Sequence, residues 1–299
     1  MTNFTLAAFS DELADRVATS AASVVQILNT RRPVSGVAHG ADTVITTARA
    51  IGREDGLRVR LPDGVTLEAD LGGWDPATGL AVLRTRSALN VPVPSIADAE
   101  PRAGHIVLAL ARSWSNAVTA SAGSVAAVGG PLRTGRRRQI ARVFRITASM
   151  HEGFAGGGVF DASGRLTGIA TAAVIRGFGV AIPASIAWAS VAHVLTAGTP
   201  RRGFVGLAVH PVELPAAQRP DGRERALLVV GVTPASPADT AGVMVGDVLL
   251  DVDGQPTEVP DDLLDLLTDR RVGQQITARI LRGGAVREVP LTVAERARG

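Results

Sequence analysis

Apolar residues recur at helical spacing near the start of the chain. Ser10 stands where an N-cap would, and Asp11 and Glu12 follow it in what would be the first turn. The spacing predicts one helix over residues 10–28. The apolar stripe of this helix would consist of Leu13, Val17, Ala21, Val24 and Leu28.

Strand signals dominate after this helix. The segment "LRVRLPDGVTLEA" alternates apolar and polar residues on both sides of Pro-Asp-Gly, which predicts a hairpin. Glycine-broken strands are also predicted in "HIVLALA", "ASAGSVAAVGG", "ARVFRIT" and "RLTGIATAAV". This spacing is typical of an all-β barrel or sandwich, and a helix over residues 184–195 would close it.

The pattern restarts after "TAGTPRRGFVG", residues 196–206, whose glycines, proline and arginines indicate a linker. Strands are predicted near residues 204–210, 226–232 and 247–253, and a helix after Pro260. Two more alternating strands flank Gly283 and Gly284. We therefore expect two domains, residues 1–198 and residues 199–299.

The charge balance argues against a nucleic-acid partner. The 299 residues include 31 basic and 28 acidic ones, a net charge of only +3. The pI of about 10.8 is high because lysine, tyrosine and cysteine are absent, so the small excess persists until arginine titrates. The one dense basic segment, "RTGRRRQIAR" at residues 133–142, would form a solvated hairpin tip or bind an acidic partner. It lacks the aromatic residues that stack on bases.

Composition also bears on cofactors and compartment. Without cysteine there are no disulfides or thiolate metal sites, and no cluster of Asp, Glu or His has metal-ligand spacing, so no metal or cofactor is expected. No apolar run approaches the roughly 18 residues of a membrane span. The start "MTNFTLAAFSDELADRV" has no signal-peptide pattern. The cytoplasm is the expected compartment, or a periplasmic or other extracytoplasmic one if a leader was removed.

Several segments, taken in their order, are similar to those of one family. "VITTARAIG" resembles the strand and loop that present a catalytic histidine, and "GWDPATGLAVLRT" resembles an aspartate-bearing segment. "TASAGSVAAVGG", "GFAGGGVFDASGRLTGIATA" and "GFGVAIPASI" resemble the strands and nucleophile loop that follow, and "PASPADTAGVMVGDVLLDVDGQP" a PDZ signature. From Leu13 to Val293 the chain resembles the HtrA/Deg family. The resemblance implies a mostly β protein, with a trypsin-like double β-barrel followed by an α+β PDZ domain.

The resemblance places the catalytic triad on three residues that cannot perform its chemistry. The histidine position falls on Arg49, the aspartate position on Gly79 and the serine position on Ala155. A guanidinium is already protonated at neutral pH, glycine has no carboxylate and alanine has no nucleophile. Hydrolysis is therefore expected to be lost. The loop glycines Gly153, Gly156 and Gly157 would form a vestigial oxyanion hole or serve only a tight turn.

Other residues offer little to rebuild a catalytic site. His39, His105 and His151 lie in the protease-like half, and Ser149 precedes His151 by two residues. On a strand these two side chains would share a face and come into contact. No oriented acid accompanies them, so structural or surface roles are favoured for the histidines.

The PDZ-like segment supplies the expected binding site. The resemblance assigns the N–H groups of Val205, Gly206 and Leu207 to a ligand's terminal carboxylate, and Leu207 and Val209 to a strand edge that pairs with the ligand. Leu263 and Leu267 would line a pocket for a terminal Val, Leu, Ile or Phe, or else belong to the core.

The expected function is binding without cleavage. The protein would bind peptide C-termini, exposed strands or unfolded segments as an adaptor, a chaperone-like holder or a regulator of an active relative. The alternatives are an active serine endopeptidase in protein quality control and a structural module with a closed groove. The resemblance implies that the N-terminal aromatics Phe4 and Phe9 help to build a homotrimer, and the alternative is that they pack against their own domain.

Overall fold

A computed structural model describes residues 5–28, 34–51, 56–112, 114–133, 139–197, 203–216, 222–267 and 271–295. These residues fall into two compact units, one up to residue 197 and the other from residue 203. The first unit consists of two closed barrels of six antiparallel strands each, so the expected mostly β, double-barrel architecture is confirmed.

The first barrel closes in the strand order β1-β2-β3-β6-β5-β4. The hairpin predicted around Pro-Asp-Gly is present, because β4 pairs with β5 across a turn at Gly64, whose φ is +93°. A left-handed turn of this kind favours glycine. The strands are β1 (Val24–Leu28), β2 (Val34–Ala38), β3 (Thr43–Thr47), β4 (Arg58–Arg60), β5 (Thr66–Trp74) and β6 (Leu80–Thr85).

The second barrel closes in the order β11-β14-β13-β12-β7-β8. A separate two-stranded pair, β9 with β10, flanks the basic segment as the hairpin prediction requires, and residues 134–138 between them lie outside the described residues. The strands are β7 (Ile106–Arg112), β8 (Val118–Gly129), β9 (Leu132–Arg133), β10 (Gln139–Ile140), β11 (Val143–Ile146), β12 (Gly158–Asp161), β13 (Leu166–Ile175) and β14 (Phe178–Pro183).

One apolar cluster joins the two barrels. Val37 and Val82 of the first barrel, Leu110 and Ile169 of the second, and Val191 of the closing helix α2 (Ala184–Ala197) belong to it, and all are buried. This burial fixes how the two barrels and α2 pack, because apolar area removed from water is the main stabilising contribution. The loops that emerge where the barrels meet are therefore held on a rigid base.

The first helix differs from the prediction. Helix α1 spans Leu6–Ser20, and the Thr5 hydroxyl caps it by accepting the Ala8 N–H at 3.1 Å. A short 3-10 turn follows, and residues 24–28 form β1. The helix predicted over residues 10–28 with Ser10 as its N-cap is thus wrong at both ends, because the apolar residues after Ala21 pair with β2 and β4 instead.

The second unit is a five-strand sheet path in the order β16-β17-β18-β20-β21, with β19 paired to β18 and two short helices. Strands β16 and β21 are its edges. Across the described residues of both units, every helix is too short or too polar to cross a membrane. The elements are β15 (Gly203–Phe204), β16 (Leu207–Glu213), β17 (Arg225–Val232), α3 (Pro237–Thr240), β18 (Val248–Val252), β19 (Gln255–Pro256), α4 (Pro260–Leu266), β20 (Gln275–Arg282), β21 (Ala285–Thr292) and β22 (Ala294–Glu295).

Candidate functional site

Arg49 and Gly79 lie at the same end of the first barrel. Arg49 is exposed in the 3-10 turn Ala48–Ala50, which directly follows β3. Gly79 directly precedes β6, whose first residue pairs with the last residue of β3. The Ala48 N–H donates to the Gly79 carbonyl at 2.8 Å. The positions that the resemblance assigns to a histidine and an aspartate are therefore neighbours.

Ala155 packs against the same barrel. It is 3% exposed, and its carbonyl accepts the Ser35 N–H at 3.1 Å. The next residue, Gly156, lies against Thr46 of β3. Because β3 leads directly to Arg49, the three positions that the resemblance assigns to the triad meet around the end of one strand. A cation, a glycine and a buried methyl group occupy them.

The loop that contains Ala155 uses its own backbone donors. Five successive N–H groups, from Gly153 to Gly157, all have acceptors within the protein. An oxyanion hole instead needs N–H groups aimed at the reacting carbonyl oxygen. In chain order, the five donate to His151 Nδ1, to the carbonyls of His151 and Glu152, to the Ala170 carbonyl and to the Phe154 carbonyl, at 3.0, 3.0, 3.0, 2.9 and 2.8 Å.

Close packing accounts for two of the loop glycines. A Cβ on Gly156 would lie 2.3 Å from the Ser35 carbonyl oxygen and 2.3 Å from Thr46 Oγ1, and the residue has φ +80°. A Cβ on Gly157 would lie 2.3 Å from the Leu110 carbonyl oxygen. Neither position has room for a side chain, so both glycines have a structural reason that is independent of catalysis.

Two buried polar residues that sequence reasoning missed hold this loop in place. The Ser35 hydroxyl donates to the Gly153 carbonyl at 2.9 Å and accepts the Arg112 N–H at 2.8 Å. The Arg112 guanidinium, 8% exposed, donates to the carbonyls of Val24, Asn116 and Ala21. Burial lowers the pKa of Arg112. No motif marks either residue, and only the fold brings them beneath the loop.

A carboxylate does lie close to Gly79, but it has a structural role. Asp75 Oδ2 accepts the hydroxyls of Thr78 at 2.9 Å and Ser190 at 2.8 Å. These bonds tie the loop before β6 to α2. Neither partner is a histidine, so Asp75 does not orient a base.

The three histidines serve separate local contacts. Ser149 and His151 lie outside any strand, so the strand geometry that would place their side chains on one face is not present, and His151 Nδ1 accepts the Gly153 N–H. The His39 ring lies 5.0 Å from the Trp188 ring, and burial lowers the pKa of His39. His105 Nδ1 accepts the Arg102 backbone N–H at 3.3 Å.

The loop before β16 shows the opposite use of backbone donors. The carbonyls of Val205 and Gly206 accept the N–H groups of Ala238 and Thr233 at 2.9 and 2.8 Å, yet their own N–H groups donate to no described residue. Both residues are buried, and a buried unpaired N–H is rare in proteins. Gly206 has φ +85°, and a Cβ there would lie 2.1 Å from Ser236.

The predicted pocket leucines belong to the core of the second unit. Leu263 and Leu267 are 5% and 6% exposed and pack with Val205 in one apolar cluster. Leu267 caps α4 rather than lying within it, and its N–H donates to the Leu263 carbonyl. Leu207 and Val209 are half-buried against this cluster on edge strand β16.

A buried ion pair supports the sheet next to this loop. Asp247, 2% exposed, accepts two bonds of 2.6 Å from the Arg282 guanidinium and one of 2.8 Å from the Met244 N–H. Burial opposes ionisation of the carboxyl, but these hydrogen bonds and the charges of Arg282 and Arg287 together lower the pKa of Asp247. The Asp247 carbonyl in turn accepts the N–H of Val229 on β17.

Family profiles match both units. The trypsin-like peptidase domain matches residues 34–169, and the PDZ domain matches residues 203–293. The two profiles follow the order of the two units. The chain is therefore a trypsin-like peptidase domain followed by a C-terminal PDZ domain.

Individual relatives carry the same description. The probable periplasmic serine endoprotease DegP-like of Brucella suis biovar 1 (strain 1330) is 30% identical over 84% of this chain and 50% of its own length. The serine endoprotease DegS of Haemophilus influenzae (strain ATCC 51907 / DSM 11121 / KW20 / Rd) is 26% identical over 87% of this chain and 76% of its own. The chain thus spans about half the length of the DegP-like relatives that it matches.

Solved structures agree. The HtrA-type protease AlgW with decapeptide matches with a TM-score of 0.55 at 25% identity, over 96% of this chain and 99% of its own. The serine endoprotease from Yersinia pestis matches with a TM-score of 0.54 at 28% identity, over 95% and 98%. This chain belongs to the HtrA/Deg family, as the order of its segments predicted.

Proposed function

We propose that the first unit does not hydrolyse peptide bonds. The observation that carries this proposal is the loop from Gly153 to Gly157, whose N–H groups are all used internally. An acyl transfer also needs a nucleophile, a base and an acid, and Ala155, Arg49 and Gly79 supply none of them. Both the proton path and the oxyanion donors are missing.

A fluorophosphonate probe and a casein assay test this proposal. The full chain is expected to show neither labelling nor turnover, and Ala155→Ser is expected to stay unlabelled because the new hydroxyl has no base. Trypsin serves as the positive control. Casein turnover that persists through purification and disappears in Ala155→Gly would overturn the proposal in favour of an active endopeptidase.

We propose that the second unit binds the carboxyl-terminal end of peptides. The N–H groups of Val205 and Gly206, which have no acceptor among the described residues, would hold the terminal carboxylate together with that of Leu207. The open edge of β16 would pair with the ligand strand. Charge-assisted bonds of this kind are about twice as strong as neutral ones. Leu207 and Val209 would contact the last side chain, with Leu263 and Leu267 behind them.

Comparing the affinity of one peptide as a free acid and as an amide distinguishes carboxylate capture from nonspecific binding. By fluorescence anisotropy, a free acid ending in valine should bind about 10-fold tighter than its amide, since the amide loses a charge-assisted interaction. Equal affinity for the two forms contradicts carboxylate capture. Absence of any binding supports the alternative of a structural module with a closed groove.

We propose further that the protein acts outside the cytoplasm and assembles as a trimer. The DegP-like relatives are named periplasmic, which does not support the cytoplasmic expectation. Phe9 is half-buried on α1, and Phe4 lies outside the described residues. Light scattering on Phe9→Ala tests the trimer, and an unchanged mass refutes the role of Phe9. Cell fractionation tests the compartment. An adaptor role or the regulation of an active relative would follow from peptide binding.

A further inference from the structure

Strand β8 of the second barrel extends well beyond its neighbour β11. It has 12 residues, whereas β11 has four and pairs only with residues 125–129 of β8. On its other side β8 pairs with β7 in one unbroken register along residues 118–124. In the described part of the chain no further strand adjoins β8. The barrel therefore closes through the second half of β8, and residues 118–122 have a strand partner on one side only.

The hydrogen bonds of Ser124 and Val125 show which residues of β8 face the unpaired edge. Ser124 accepts the Thr147 backbone N–H at 2.9 Å and donates its own N–H to Thr147 Oγ1 at 2.8 Å, on the side of β11. Val125 instead makes its backbone bonds with residues 104 and 105, on the side of β7. Successive residues of a strand direct their N–H and C=O groups to opposite sides. The even-numbered residues of β8 up to Ser124 therefore face away from β7.

Val118, Ala120 and Ala122 consequently present both backbone groups at the unpaired edge. The neighbouring strand agrees with this direction, because the Arg112 N–H, opposite Val118, donates to Ser35 Oγ at 2.8 Å and not to β8. All three residues are exposed, and their outward N–H and C=O groups have no hydrogen-bond partner among the described residues. Three donors thus alternate with three acceptors along this edge.

Only an extended backbone matches such a row of groups. An anion would satisfy the N–H donors and leave the carbonyl acceptors unpaired, and a cation would do the reverse. A strand laid alongside pairs with both kinds of group. The segment Val-Thr-Ala-Ser-Ala, residues 118–122, also lacks the charges and prolines that usually protect an edge strand from pairing. This edge of β8 is therefore suited to the addition of a strand.

The side chains at this edge favour a different polypeptide over a second copy of the chain. If two β8 edges paired antiparallel about Ala120, that alanine would face its own copy and Val118 would face Ala122. Pairs of small residues contribute least among cross-strand pairs, whereas β-branched and aromatic residues opposite them bury more apolar area. A foreign strand can supply such residues, and a second β8 cannot.

We propose that the first unit binds an extended, uncharged internal segment of another polypeptide, which adds as a strand to β8 at residues 118–122. The segment needs no free terminus, because the alternating groups of this edge bind backbone and not a terminal charge. Its β-branched or aromatic residues, at alternate positions, would pack across Ala120 and Ala122. This surface is separate from the carboxylate capture proposed for the second unit and does not depend on it.

A hexapeptide that alternates threonine and valine tests the proposal. It carries a fluorophore at its N-terminus and an amide at its C-terminus, so carboxylate capture cannot hold it, and the full chain is titrated by fluorescence anisotropy. The unaltered chain should bind it, and Ala120→Pro should weaken binding about 10-fold, because proline removes an outward donor and places a ring at the edge. Ala120→Val, the matched control, keeps the donor and should change the affinity less than about 2-fold. Melting curves verify that both variants fold.

Single-cysteine variants give a second measurement that needs no proline. The chain has no cysteine, so Ala120→Cys and Ala208→Cys each contain one thiol. Ala208 is the control, because it is exposed on β16, the edge strand of the second unit. A peptide with its central valine replaced by cysteine should form a disulfide about 10-fold faster with Ala120→Cys, since binding raises the local concentration of its thiol. If Ala120→Pro does not fold, these rates decide alone.

Three results would overturn the proposal. They are no binding of the hexapeptide by the unaltered chain, equal binding by a folded Ala120→Pro, and disulfide formation at Ala208→Cys as fast as at Ala120→Cys. Light scattering identifies the competing occupant. If the unaltered chain binds no peptide and its mass falls in Ala120→Pro, the edge of β8 pairs with a second copy instead.

Discussion

Two glycine-containing loops of this molecule differ in whether their backbone N–H groups have acceptors within the protein. From Gly153 to Gly157, every N–H is satisfied inside the first unit. At Val205 and Gly206, the carbonyls are satisfied, whereas the N–H groups donate to no residue in the described part of the chain. Both loops belong to families in which backbone N–H groups bind an oxygen of a ligand. Only the second keeps donors to offer.

Glycine alone is therefore not sufficient to make an anion site. Gly156 and Gly206 both have positive φ, and both lie too close to neighbouring atoms to carry a Cβ. What separates the loops is where the adjacent N–H groups point, which depends on the 3-10 turn at Glu152–Phe154 in one case and on the contact with α3 in the other. Retained glycines therefore say more about packing than about function.

The largest expected loss of stability comes from replacing Gly156 or Gly206 with alanine. Gly156→Ala places a methyl group 2.3 Å from two oxygens and should destabilise the first unit by about 3 kcal/mol. Gly206→Ala places one 2.1 Å from Ser236 and should cost the second unit about as much, about 3 kcal/mol, and also abolish peptide binding. Thermal melts and peptide titrations of the full chain measure both effects.

Glycines with open surroundings are the controls for this pair. Gly177 has φ +82° and Gly254 has φ +72°, and neither has an atom within 4 Å of its built Cβ. Alanine at either position should cost only the left-handed strain of about 1 kcal/mol. If Gly156→Ala cost no more than Gly177→Ala, packing would not be the reason for the glycine at Gly156.

The sequence predicted the architecture better than the hydrogen bonds of either loop. Alternation and turn residues indicated the hairpin at Gly64 and four strands of the second barrel, β7, β8, β11 and β13, because local patterns reflect which face is buried. The extent of α1 was wrong, since Val24 and Leu28 fit a helical stripe and a strand equally well and only pairing with β2 and β4 decides between them. Tertiary pairing is not visible in local spacing.

The candidate site was predictable only as a set of positions. The meeting of Arg49, Gly79 and Ala155 followed from the family resemblance, and the structure brings them to one end of β3. The contacts of Ser35 and Arg112 join residues far apart in sequence, so no motif marks them. Leu263 and Leu267 show the converse, because helical spacing does not distinguish a pocket wall from a core.

A smaller effect should separate the two regions by pH. The pKa of Asp247 lies below its ordinary value of 3.8 in the folded protein, so its ion pair contributes stability above that pH. The contribution is lost as the pH falls through the lowered pKa. Asp247→Asn should destabilise the second unit by about 2 kcal/mol at neutral pH, because it leaves the partly exposed Arg282 guanidinium without its partner, and should remove this part of the acid dependence.

For this contrast between the two units to hold, the loss of stability in Asp247→Asn must be confined to the second unit. Trp74, Trp114 and Trp188 all lie in the first unit, so tryptophan fluorescence should keep its transition in Asp247→Asn while peptide binding is lost at a lower temperature. Glu68→Gln is the control, since its pair with Arg86 is exposed and worth at most about 1 kcal/mol. A tryptophan transition that shifts as far as the loss of peptide binding contradicts independent units.

The smallest effect concerns His39 in the first unit. Burial lowers its pKa from the ordinary value of 6.5, so the folded state favours the neutral ring beside Trp188. Its contribution to stability is complete above that ordinary value and declines as the pH falls below it, because the unfolded chain binds the proton first. As the pH falls from neutrality to just below the ordinary histidine pKa, the folded state should lose about 0.5 kcal/mol of stability, a small amount because His39 is half-exposed.

In that pH range, His39→Gln should reduce the dependence on pH of the Tm measured by tryptophan fluorescence, whereas His105→Gln, which removes an exposed ring, should not. If both variants keep the slope of the unaltered chain, the acid sensitivity of the first unit originates elsewhere, and the pH windows of the two regions no longer distinguish them.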